Sequence, residues 1–215
     1  MRPKFYKNNI TRILALSTLI GISCLKNEII EEPIEEDAKK SEYVNRERLY
    51  ETLKRHEGER FRVYDDKTSN PLRPGEEVRG NRTIGVGLNL DDVVGSELLK
   101  SLVGDFRYEE IYNGTNEISK EESDSLLSSY VDIAKEDAKS FLGDETYEEI
   151  DVRAREIVIN MAFMGQRRLN GFRNLRDSLK MQDYQKAADD MKNSIWYGQT
   201  GIRGRELVEA MRDIE

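Results

Sequence analysis

The chain has 215 residues, with 34 Lys and Arg against 42 Asp and Glu, a net charge of −8, and 37% apolar residues. That length suits one domain with an extension, and the composition suits a helix-rich globular fold. One cysteine excludes an internal disulfide and a cysteine-based zinc site, one histidine argues against a Ser-His-Asp triad, and the acidic balance argues against a nucleic-acid partner. Chemistry here must rest on carboxylates, hydroxyls and backbone groups, with no cofactor and no metal expected.

Residues 1–23 read as an export signal. Arg2, Lys4, Lys7 and Arg12 precede an uncharged, mostly apolar run from Ile13 to Ser23. That run is shorter than the roughly 18 residues a membrane-spanning helix needs. The only cysteine, Cys24, follows at once, and Ile22-Ser23-Cys24 resembles the end of a bacterial lipoprotein signal, which implies lipidation at Cys24. An uncleaved signal anchor or soluble release are the other outcomes. Each places the protein outside the cytoplasm, at the membrane or secreted. Residues 24–40 are rich in glutamate, carry Pro33 and lack any helical or strand period, so they read as an acidic flexible tether.

The folded domain is expected over 41–215. Ser41 can cap a helix through about His56, with Gly58 as its stop. Phe61 and Val63 alternate with charged residues and suggest a short strand. A turn-rich segment follows from Asp66 to Asn81. Thr83 to Leu88 then reads as a second strand, with Ile84, Val86 and Leu88 on one face and Thr83, Gly85 and Gly87 on the other. A helix capped by Asp91 or Asp92 runs to Val103. Ser119 and Glu122 form a capping box that opens a helix to about Leu142. Ile150, Ala154, Ile157, Val158 and Met161 mark a buried helix ending near Gly165, and shorter helices follow at about 172–181, 183–193 and 203–213. The expected class is α+β: a small sheet lobe, a larger helical lobe, and a cleft between them.

Glu57 falls in the last turn of the first helix, where unpaired carbonyls make the potential negative and suit a neutral carboxyl. Asp66 opens a solvated loop that suits a charged one. Two carboxyls in unlike surroundings, beside a glycine-floored strand, match what glycoside hydrolysis needs: one acid and one base or nucleophile. Acidic pairs are common in so acidic a chain, and most are only solvated surface.

Leu53–Gly58 (LKRHEG), Tyr64-Asp65-Asp66 and Thr83–Gly87 (TIGVG) resemble, in this order, the catalytic segment of phage-type lysozymes, glycoside hydrolase family 24, in particular the T-even type. A second block agrees: Asn160-Met161-Ala162-Phe163 with Gly165, Gly171–Asn174, Ala187-Ala188, Ser194–Thr200 and Arg203. The resemblance covers about residues 46–212. It implies a lysozyme-like fold and a monomeric muramidase that cleaves the β-1,4 bonds between N-acetylmuramic acid and N-acetylglucosamine in peptidoglycan, with inversion at the anomeric carbon. It implies Glu57 as the proton donor, Asp66 as the second carboxylate with Asp65 as its substitute, and Thr83 as the group placing the attacking water. Arg203 is implied as the partner of Glu57. Asn89, Phe163, Leu175 and Asp190 are implied as cleft positions that bind substrate. The loop between Asp66 and Gly80 is longer than in the family, which bears on where Asp66 sits.

Other signals read more plainly. His56 adjoins Glu57 but points elsewhere on the helix, and reads as structural rather than as a tuner of Glu57. Trp196 and Phe172 read as core. Arg153, Arg155, Arg167, Arg168, Arg173, Arg176, Arg203 and Arg205 either attract anionic peptidoglycan or balance acidic helices. The rival to catalysis is a non-hydrolytic peptidoglycan-binding lipoprotein on the same fold, and an intact Glu57, Asp66 and Thr83 set argues against it. Wall remodelling, lysis and attack on competitors share one chemistry.

Overall fold

The computed structural model describes residues 46–215. The export signal expected over 1–23, Cys24, the tether over 24–40 and residues 41–45 lie outside the described residues. Helix α1 (46–57) buries Leu49 and Leu53, four apart on one face, and ends at Gly58. Strands β1 (Arg60–Asp65), β2 (Arg82–Gly85) and β3 (Leu88–Asn89) follow, then α2 (Val93–Val103), α3 (Asp105–Tyr112) and the long α4 (Lys120–Leu142). The remainder is helical: α5 (Asp144–Glu149), α6 (Val152–Ala162), α7 (Gln166–Leu169), α8 (Arg173–Lys180), α9 (Tyr184–Lys192), α10 (Ile195–Thr200) and α11 (Ile202–Arg212). The class is α+β.

The sheet is antiparallel with order β1-β2-β3. It differs from expectation in two places. The single strand expected over Thr83–Leu88 is two strands and a turn. Gly85 and Gly87 take φ of +60° and +73°, a region open to glycine, so the chain reverses there and Ile84 pairs with Leu88. Ile84 and Leu88 therefore enter one core while Val86, at the turn, enters another. Phe61 and Val63 also part company. The register shifts between Arg60 and Tyr64, leaving Phe61 37% exposed while Val63 is fully buried.

The described residues form two cores. One lies under the sheet, built from residues such as Val63, Ile84, Leu88, Leu99 and Ile111. The larger fills the helical lobe around Leu53, Val158, Met161, Leu179 and Met191. Helix α4 serves both: Leu126 packs under the sheet, while Leu127, Val131, Ala134 and Ala138 pack in the helical lobe. Its start is the expected capping box, with Ser119 Oγ accepting from the Glu122 amide and Glu122 accepting from the Ser119 amide.

The long loop between β1 and β2 is pinned rather than free. Asp65 is 2% exposed, and its carboxylate accepts from the amides of Lys67 (2.9 Å), Thr68 (3.3 Å), Arg79 (2.7 Å) and Gly80 (3.1 Å). Leu72 folds back beneath the loop, its amide donating to Val63 O at 2.9 Å. Asp66 and Asn81 close the neck: the Asp66 amide donates to Asn81 O at 3.0 Å, and the Asn81 amide donates to Asp66 Oδ1 at 2.8 Å.

Candidate active site

Helix α1 delivers Glu57 to the junction of sheet and helices. The Glu57 side chain is 24% exposed and accepts from Arg203 Nη1 on α11. Arg203 is itself held by one residue of α6: its Nε donates to Asn160 Oδ1 at 3.0 Å and its Nη2 to Asn160 O at 2.6 Å. A guanidinium fixed at two of its corners leaves one direction for the third, which aims the carboxylate. On its other side Glu57 lies over the β2–β3 turn. A Cβ on Gly87 would sit 3.2 Å from Glu57 Oε2 and 3.3 Å from its Cβ, so only glycine lets the backbone approach so closely.

Asp66 stands at the neck of the long loop, exposed, with Asn81 Nδ2 donating to its Oδ2 at 2.9 Å. Asn81 O in turn accepts from Thr83 Oγ1 at 3.4 Å, so Asp66, Asn81 and Thr83 form one linked series. Thr83 is 4% exposed and pairs with Asn89 across β2 and β3, which sets two expected site residues opposite each other. Gly80 closes the arrangement. A Cβ there would fall 2.0 Å from Asp66 Oδ1 and 2.9 Å from Asp65 Oδ1. Asp65 is turned inward to four amides, so it is the loop's anchor and is not free to replace Asp66. The Arg79 amide, with help from those of Lys67, Thr68 and Gly80, outweighs burial and holds its carboxyl below the usual range.

Tyr64 is buried beside the start of the long loop. Its hydroxyl is pushed up, first by burial; the Arg60 guanidinium, 4.2 Å from the ring, opposes this, while both Glu57 and Asp66 add to it. On the helical side, Phe163 meets Tyr130 edge-on, centroids 4.8 Å apart. Burial pushes Tyr130 up to about 12, with Asp92, Asp137 and Glu57 adding and Arg203 opposing. Phe163 is partly buried, packed against the helical core beside Tyr130.

Two further expected substrate positions lie on the helical lobe, one of them enclosed. Leu175 is 1% exposed and packs in the helical core, so no sugar can touch it. Asp190 accepts from the buried Ser178 hydroxyl at 2.7 Å, with Lys186 Nζ at 3.7 Å, and so ties α9 to α8. Asn89 spends its Oδ1 on the Asp91 amide at 2.9 Å, leaving its amide nitrogen for other work. His56 is enclosed and pairs with Glu206. Trp196 packs edge-to-face on Phe172 in the core. The arginine cluster divides: Arg153, Arg155, Arg176 and Arg203 meet Asp151, Glu148, Asp177 and Glu57, whereas Arg167, Arg168, Arg173 and Arg205 are exposed. Among the described residues no three of His, Cys, Asp and Glu gather as metal ligands.

Two residues of the site carried no role at the level of sequence. Asn160 orients Arg203, and its signal was a polar residue inside the apolar stripe Ile157–Ala162. Asn81 holds Asp66, and its signal was a Gly-Asn turn ending the loop two residues before Thr83.

No protein-family model matches the chain. A curated relative, "Probable T4-type lysozyme 2" of Dictyostelium discoideum, is 28% identical over 165 residues, covering 74% of this chain and 91% of the relative. With its three-stranded antiparallel sheet beside a helical lobe, the chain has an α+β, lysozyme-like fold and is distantly similar to T4-type lysozyme.

Proposed function

We propose that the protein is a muramidase that hydrolyses the β-1,4 bond between N-acetylmuramic acid and N-acetylglucosamine in peptidoglycan. The reading is carried by Glu57, held at a helix end between Arg203 and the Gly87 backbone, with Asp66 exposed at the neck of the β1–β2 loop and held there by Asn81. Glu57 protonates the departing glycosidic oxygen. Asp66, with Thr83, activates a water that attacks the anomeric carbon from the opposite face, so the product is inverted. Asn81 keeps Asp66 aimed while the ring passes through its oxocarbenium-like stage. Phe163 and Asn89 contact the sugars from the two walls. The enzyme acts alone as a monomer, is exported, and is held at the membrane through a lipid on Cys24.

The test is release of reducing ends from purified sacculi. Glu57→Gln should abolish release while leaving the melting temperature within a few degrees of wild type. Asp66→Asn should lose most of it. Sacculus cleavage by Glu57→Gln at the wild-type rate removes Glu57 from the mechanism. The first-formed anomer, read by proton NMR, should be the α form. Mass spectrometry of the mature N-terminus decides the state of Cys24.

A further inference from the structure

The last two residues of α1 are both held by α11. Glu57 takes Arg203, while His56, one step earlier, sets its Nε2 2.8 Å from Oε2 of Glu206. Arg203 and Glu206 are three apart on α11 and lie on one face of it. The His56 side chain is 3% exposed, yet it borders a pocket of about 240 Å³ between α1, α6 and α11 that Asn160, Glu156 and Leu207 also line. Its Nδ1 has no hydrogen-bond partner, so the contact from Nε2 to Glu206 is the polar one that orients the ring.

Gly58 makes that bond matter. Its φ of +77° ends the helix, and only the Gly58 amide, bonded to Lys54 O, continues the ladder beyond Glu57. No further helical turn supports the end of α1, so its side chains help to set the roll of the last turn. Consecutive residues of a helix point about 100° apart. Holding His56 on one side and Glu57 on the next fixes that roll closest to the carboxyl, beside the ion pairs that Lys54 makes with Asp124 and Glu59 and Arg55 makes with Glu206.

We propose that His56, through Glu206, is a positioning residue for Glu57, locking the end of α1 onto α11 so that the carboxyl meets the glycosidic oxygen. The proposal rests on the reading of Glu57 as the general acid. Glu206 suits the task because the His56 bond, aided by Arg55 at 2.8 Å, outweighs burial and holds its carboxyl below the usual range, so it accepts throughout neutral pH. His56 needs only its Nε2–H.

The experiment measures kcat and KM on purified sacculi for wild type, His56→Leu, His56→Gln, Glu206→Ala and the His56→Leu/Glu206→Ala double variant. A swinging acid loses turnover and not binding. His56→Leu and Glu206→Ala should each lower kcat about tenfold with KM within about twofold, since sub-ångström misplacement is costly. The double variant should be no worse than Glu206→Ala alone, because that variant already breaks the His56 link together with the Arg55 pair. His56→Gln, which keeps an N–H donor of similar reach, should recover most of the turnover. Unchanged kcat in Glu206→Ala, or no recovery in His56→Gln relative to His56→Leu, overturns the proposal. If His56→Leu does not fold, Glu206→Ala, altered at a partly exposed carboxylate, carries the test. Wild-type protein that releases no reducing ends defeats the muramidase reading itself and this inference with it; an active wild type with indifferent variants defeats this inference alone.

Discussion

Gly87→Ala offers a sharp test of how Glu57 is seated. The substitution does two things, and each has its own size. An L-residue at φ +73° carries a steric cost of about 1–2 kcal/mol. The new methyl would also stand 3.2–3.4 Å from Oε2, Cβ and Cδ of Glu57, closer than carbon contacts normally run, so Glu57 must yield by a few tenths of an ångström. For a domain of this size the first effect lowers the melting temperature by roughly 2–8 °C. The second lowers turnover, and with displacements near 1 Å costing on the order of a hundredfold, about tenfold is expected. Gly75→Ala separates the two. Gly75 has almost the same φ, +78°, but nothing lies within 4 Å of its added Cβ, so that variant should lose a similar stability and no turnover. Thermal melts by circular dichroism and initial rates on sacculi measure both. Equal rates for the two variants would refute the claim that Gly87 is the floor on which the acid rests.

The remaining expectations concern residues whose contacts the structure defines. Leu175→Ala should cost about 3 kcal/mol by denaturant unfolding, as a fully buried leucine does, while the folded fraction keeps its rate and KM. Asp190→Ala leaves the buried Ser178 hydroxyl with Lys186 alone and should cost about 1–2 kcal/mol with activity retained. Asp65 titrates below its ordinary value, so its contribution to stability is complete above about pH 4 and is lost as pH falls through the folded value. Asp65→Asn should therefore lower the melting temperature at pH 7 and narrow the gap to wild type on acidification, measured by melts from pH 7 to pH 2.

The local signals were legible because they need no distant partner. Ser119 and Glu122 cap each other three residues apart, and Asp92 caps α2 through the Val94 amide two residues on. The order of the lobes followed from where the apolar period changes. What was not legible depends on contacts across the chain. Ile84, Val86 and Leu88 alternate as a strand does, and only the reversal at Gly85 and Gly87 sends Val86 to the other core. The apolar step from Leu175 to Leu179 already described a core-facing stripe, and positional likeness alone had put Leu175 in the cleft. Asn160 meets Arg203 across 43 residues, so its isolated polar side chain could be noticed but not assigned. Asp65 and Asp66 are adjacent and chemically alike; the four amides that separate their roles come from a loop whose path no pattern announces.

The drawn-in neck at Asp66 and Asn81 has a practical corollary. Chain added beyond Leu72 leaves and returns through one fixed gate, so its length is not felt by the carboxylate it borders. The tip from Arg73 to Glu77 closes on itself through Arg73 and Glu76 and is exposed throughout. It is a natural port for grafting: an affinity handle, a reporter peptide or a wall-targeting insert can be spliced there while the acid machinery beneath stays in register.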